Sequence, residues 1–327
     1  MFKSLNILVI SLAVYCLSPV AAQPIGRWQQ EWPNTDFARA AIDLREIQSG
    51  GPGKDGIPAI DNPVFVPLAD YKVQDEKEPV IGIISGNDAR AYPLSVLIWH
   101  EIVNDVINGI PVTVTYCPLC NTAIVFDRRV DTRTLDFGTT GKLRHSDLVM
   151  YDRQTESWWQ QFGGEAIVGE LAGNKLKVLP SRLESLANFR KRALGGRILV
   201  PNDPAARDYG TNPYAGYDRS RTPFLFAGRL PKGVEPMMRV VAIDGVAWTL
   251  PLLVDKEEIV HGGVKILWHE GQHSALDSHR IAQGHDIGNV SVTRNGEDVA
   301  HVVTFAFAFF AFYPDGLLYT EKGELRQ

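Results

Sequence analysis

Cysteine is scarce: the 327 residues contain three, at positions 16, 117 and 120. So few exclude a disulfide-dense scaffold, and the lack of a second Cys-x-x-Cys excludes a four-thiolate zinc site within one chain. Positive charge is short as well, with 33 Lys and Arg against 38 Asp and Glu and a net charge of −5. That balance lacks the concentrated positive field that nucleic acid requires, and the one short basic run, Arg190-Lys191-Arg192, reads as the solvated face of a helix. Long apolar runs are missing too, since Ile7–Leu17 and Val302–Phe312 both fall short of the ~20 residues a spanning helix needs. Neither a phosphate-cradling glycine loop nor a G-x-S-x-G elbow occurs.

What remains is ordinary globular composition, 45% hydrophobic and 22% charged. Lys3, the apolar run Ile7–Leu17 and the small residues Val20-Ala21-Ala22 form a secretory signal with a cut expected after Ala22. The expectation is a periplasmic or secreted protein with no membrane span after cleavage. Cys16 leaves with the signal, so Cys117 and Cys120 form a lone C-x-x-C in an oxidising compartment.

Residues 23–47 read as a helical preface, with Phe37, Ala40, Ala41 and Leu44 at helical spacing behind Asn34-Thr35-Asp36. Residues 48–327 form the main body. From Pro79 onward the pattern is mainly β, with runs of Val, Ile and Thr bounded by Gly, Asn and Pro. Ser181-Arg182-Leu183-Glu184 has the form of a capping box opening a helix that Gly195-Gly196 ends. Phe305, Phe307 and Phe309 alternate with Ala306 and Ala308, which predicts a strand buried on both faces. An internal repeat is also legible. Val80–Ile83 with Ala91–Leu94 parallels Val240–Ile243 with Ala247–Leu252, and Glu101–Asn104 parallels Glu258–His261. The fold class is therefore mainly β (β-rich α+β): two loosely related β units, about 76–230 and 235–327, in one compact body with one or two helices.

The runs His100–Asp105, Thr115–Thr122, Gly141–Leu143 and Leu148–Arg153, preceded by the loop Gly50–Ile60, resemble the bacterial family catalogued as domain of unknown function 3179. The resemblance covers roughly residues 45–320. That family has no settled activity, so the resemblance implies no catalytic role.

The chemistry must come from the residues. Cys117-Pro118-Leu119-Cys120 falls between two strands, which makes it a turn with both sulfurs on one side. Three readings follow. The first is a structural disulfide, which for so small a ring contributes only ~2 kcal/mol. The second is a dithiol–disulfide exchange centre, although Ala123–Phe126 continues as strand and offers no helix dipole. The third is a site for a soft metal, copper or zinc, with His100 and Met150 (and His145 nearby) as further ligands. This last reading, metal binding or delivery in the cell envelope, leads.

A second metal motif competes. His269-Glu270-Gly271-Gln272-His273 matches H-E-x-x-H, and His279 stands at metzincin spacing. That zinc peptidase reading requires a helix, yet Val264–Trp268 leads in as a strand, on which residues four apart lie ~13 Å distant. A different class of function is a ligand-binding module with an inert disulfide. Its surface would be built from Trp158 or Trp159 with Tyr209, Tyr214 and Tyr217.

Overall fold

The computed structural model of the chain describes residues 25–72 and 75–326; the signal expected at residues 1–22 lies outside the described residues. The protein is mainly β, 40% strand and 14% helix, with its sheets arranged compactly in a five-bladed, propeller-like ring. Among the described residues no helix is long and apolar enough to cross a membrane.

Hairpins build the blades, and their turns explain why. Asn108-Gly109, Asp244-Gly245, Gly262-Gly263 and Asn295-Gly296 all have positive φ at both central residues. Such turns match the right-handed twist of the strands they join, and Asn, Asp and Gly reach that conformation at least cost.

The two β units are copies of one arrangement. In the first, the hairpin Pro79–Ser85/Asp88–Pro93 leads into a helix, Leu94–His100, and a second hairpin, Ile102–Ile107/Ile110–Cys117. In the second, Arg239–Ile243/Val246–Thr249 leads into Leu250–Lys256 and then Glu258–His261/Val264–His269. Each unit is completed by a strand–helix–strand return: Arg182–Ser185, Leu186–Arg192 and Arg197–Val200, or Val302–Phe305, Ala306–Phe312 and Leu317–Thr320. In both, the first returning strand joins its sheet antiparallel and the second joins parallel. Arg182–Ser185 then packs beside Asn289–Arg294, and Val302–Phe305 beside Thr122–Asp127, so each unit leans on the other in the same way.

The sequence alignment of the repeat holds through the first hairpin, Val80 matching Val240 and Leu94 matching Leu250, and is one residue off after the helix. The two helices are C-capped by Glu101 and Glu257, at φ 58° and 56°. The N–H groups of Tyr116 and Trp268 donate to their carbonyls at 2.8 Å in both copies. Glu101 therefore corresponds to Glu257 rather than Glu258, and Cys117 to His269.

Three local expectations change. The Phe/Ala alternation is a strand only to Phe305; Ala306–Phe312 is a helix. Its Phe307 and Ala308 face the central core while Phe309 and Phe310 face an outer cluster, so apolar residues all round reflect burial on two sides. The Ser181 box also fails, because residues 182–185 are a strand and Ser185 is the cap, its Oγ accepting from the Asn188 N–H. Residues 37–43 form turns and bends with one bridge from Ala40 to Val168, Leu44–Glu46 is a single 3-10 turn, and the α-helix of that region is Ile25–Glu31.

One sheet has no counterpart in the second unit. Phe137–Arg144, Asp147–Asp152, Trp158–Gln160 and Glu165–Val168 are inserted before the strand Lys177–Leu179, with Ile47–Ser49 at their edge. Trp28 and Trp32 pack edge-on against Trp158 and close the outer face of this sheet.

Candidate metal centre

Cys117 ends the strand Ile110–Cys117 and pairs with Thr122, so residues 118–121 are the tip of a tight hairpin. The Asn121 N–H donates to the Pro118 carbonyl at 3.2 Å, and Asn121 itself is left-handed at φ 54°. The second unit holds the tip from outside. Thr304 Oγ1 and the Phe305 N–H both donate to the Cys120 carbonyl, at 2.9 and 3.1 Å.

The inserted sheet brings the third group. Asp147 begins a strand directly after His145-Ser146, a turn with φ 53° and 69° at two residues that are not glycine. Left-handed backbone at two such residues carries strain that surrounding structure must hold. The Ser146 carbonyl accepts from Cys117 Sγ at 3.8 Å, which ties the turn to the thiols. Cys117, Cys120 and Asp147 are all buried, and their ligand atoms lie within 4.8 Å of one another. The two cysteines are free thiols, not a disulfide.

Burial governs the electrostatics. It pushes the Cys117 thiol up and the Cys120 thiol well above the ordinary range. It raises Asp147 to about 6, although the Phe162 N–H and Gln160 Nε2 donate to Oδ2 at 2.8 and 2.5 Å. Glu101 is pushed up to about 8 by its burial and, second, by the charge of Asp147. Four acidic groups thus share one buried region, and each is easier to ionise once a cation is present.

The donor set fits a metal. Two thiolates and a carboxylate suit tetrahedral zinc with one open position, whereas Cu(I) favours sulfur or imidazole over a hard oxygen. Around zinc, with Zn–S near 2.3 Å, two sulfurs stand ~3.8 Å apart, so small side-chain shifts from the observed spacing suffice.

The structure brings Cys117 and Cys120 together, as the turn predicts, but supplies a different partner. His100 is engaged elsewhere, Nδ1 with the Pro58 carbonyl and Nε2 with Tyr209 Oη, both at 2.8 Å. Met150 is fully buried in the core strand Asp147–Asp152, beside Trp159. Asp147 is a hard oxygen donor, outside the sulfur and imidazole set that a soft-metal site implies. Its signal was an acid opening the apolar run Leu148–Tyr151 after a turn without glycine.

The H-E-x-x-H histidines do not converge. His269 ends a strand and meets Asn188 Nδ2 at 3.0 Å, His273 Nδ1 pairs with Asp75 at 2.9 Å, and His279 is exposed. Trp158 and Trp159 do split between two faces, but both faces are covered and neither ring reaches the surface. Tyr214 and Tyr217 line a cavity beside the cysteine hairpin, whereas Tyr209 lines another.

A second cluster, Asp218, Asp277 and His285, lies at a cavity of about 660 Å³ that Asp218 and His285 line. Its charges are already answered. Arg239 Nη2 bonds Asp218 at 3.0 Å, Arg219 Nη2 lies 2.7 Å from Asp277, and His285 Nδ1 lies 3.2 Å from Asp277.

Fold and site together define a propeller-like β protein with a buried thiol–carboxylate centre. The family model described as a protein of unknown function (DUF3179) matches residues 54–316, and the chain belongs to that family. Among curated proteins and among solved structures nothing matches.

Proposed function

We propose that this is an exported metal-binding protein whose centre is Cys117, Cys120 and Asp147, with zinc as the ion. The observation that carries the reading is the convergence of two free thiols and a carboxylate, all buried, within 4.8 Å. Burial argues for a resident ion over a cargo handed to a partner, because exchange needs access that Cys117 and Cys120, at 2% and 0% exposure, do not offer. Cobalt(II) tests this directly. Chelator-treated protein titrated with Co²⁺ should develop thiolate-to-metal charge-transfer absorption and tetrahedral visible bands, and Zn²⁺ should bleach both. Cys117→Ser should lower the charge-transfer band, the double change of Cys117 and Cys120 to Ser should abolish it, and Asp147→Asn should weaken binding by roughly 100-fold. Absorption without a thiolate contribution would sink the assignment.

Asp147 favours one other reading, thiol–disulfide exchange, since a buried carboxylate that interacts with both thiols can accept a proton from the attacking one. In that case the pair would equilibrate with a glutathione buffer at a defined potential, and Asp147→Asn would slow the exchange without a metal requirement.

A further inference from the structure

A cavity of about 370 Å³ opens beside the cysteine hairpin. Its walls include Leu119, from between the two cysteines, and the rings of Tyr214, Tyr217 and Phe224. Phe224 is 47% exposed at the rim, and its N–H donates to Tyr217 Oη at 3.1 Å. Into this apolar, aromatic space one acidic side chain is set. Glu101 is 6% exposed, and among the described residues nothing hydrogen-bonds its carboxyl. Its repeat counterpart, Glu257, has the same left-handed backbone but stands exposed, so the buried setting of Glu101 comes from parts the second unit lacks. Those parts are the inserted sheet and the segment carrying Tyr214 and Tyr217. Glu101 lines the cavity, so its carboxyl is open to whatever occupies that space.

The surrounding charge points one way. The charge of Asp147 opposes ionisation of Glu101, so this end of the cavity favours a cation over an anion. Lys142 is the one cation among the lining residues, and it turns its Nζ to Glu31 Oε2 at 3.1 Å and the Thr140 carbonyl at 3.4 Å. The geometry points to a binding site for an organic cation, a methylated ammonium with a small substituent, in which the Glu101 carboxylate is the counter-ion and Tyr214, Tyr217 and Phe224 form the cage. Ring faces attract such cations through their quadrupoles, and three rings with one carboxylate reject a neutral molecule of the same shape. The site does not depend on the metal assignment.

Choline and its uncharged isostere 3,3-dimethyl-1-butanol are the probes. In calorimetric titration of the full chain, choline should bind saturably below about 10 mM and the neutral isostere at least ~10-fold more weakly. Glu101→Gln should cut choline affinity by roughly 10-fold or more, and so should Phe224→Ala, whose ring is exposed and lies outside the core. Repeating the titration on chelator-treated protein separates the two claims, since choline binding that persists there stands even where the metal reading fails. No saturable choline binding, equal binding of the isostere, or unchanged affinity in folded Glu101→Gln would each overturn the proposal.

Discussion

Asp147 and Glu101 illustrate how a side chain acquires a role from its surroundings. Both are ordinary carboxylates made hard to ionise by burial, and each lies where a cation would reverse that cost. Glu78 shows the same physics away from the site. It accepts a hydrogen bond from Ser95 Oγ, yet burial, with the charge of Asp75 adding to it, raises it from 4.5 to about 7. The folded chain therefore holds a proton that the unfolded chain releases, so stability from this residue is full below about pH 4.5 and falls as pH rises to about 7. Glu78→Gln removes that loss. Its advantage over the wild type should grow by on the order of 3 kcal/mol between about pH 5 and pH 8, read from urea unfolding. An advantage of equal size at both pH values would contradict the assignment. The burial of Glu78 and Glu101 was not legible in the sequence, and that of Asp147 showed only as an acid opening the apolar run Leu148–Tyr151. The cysteine pair was legible, because its spacing and flanking strands specify a turn by themselves.

Elements were read best where turn chemistry is explicit and worst where two structures share a pattern. Strands bounded by Gly, Asn and Pro were legible, and the repeat aligned to within one residue. Residues 181–193 failed because strand and helix abut there without a break, and Ser181 and Ser185 both resemble caps. The structure discriminates between them. Ser185→Ala should cost about 1 kcal/mol through loss of the bond to the Asn188 N–H, while Ser181→Ala should stay within about 0.5 kcal/mol. Comparable losses at both positions would restore the sequence-based boundary. The Phe305–Phe309 alternation misled for a related reason. Period 2 marks a strand only if one can assume two covered faces, and a helix between two clusters satisfies the same composition.

At the scale of the whole molecule, the duplicated arrangement explains where the candidate centre lies. The first unit supplies the cysteine hairpin, the inserted sheet supplies Asp147, and the second unit fastens Cys120 through Thr304 and Phe305. An ion at that junction would link all three parts, and its loss would be felt by the whole chain. The second unit places His269 where the first has Cys117 and lacks the inserted sheet, so the repeat itself predicts one centre per chain and not two. The most direct test is metal content by mass spectrometry, together with a thiol count, on protein exported to a periplasm and purified without chelators or metal-affinity tags. The account predicts about one zinc per chain, lost in Cys117→Ala while the chain remains folded. Metal-free protein with both thiols freely titratable would contradict it.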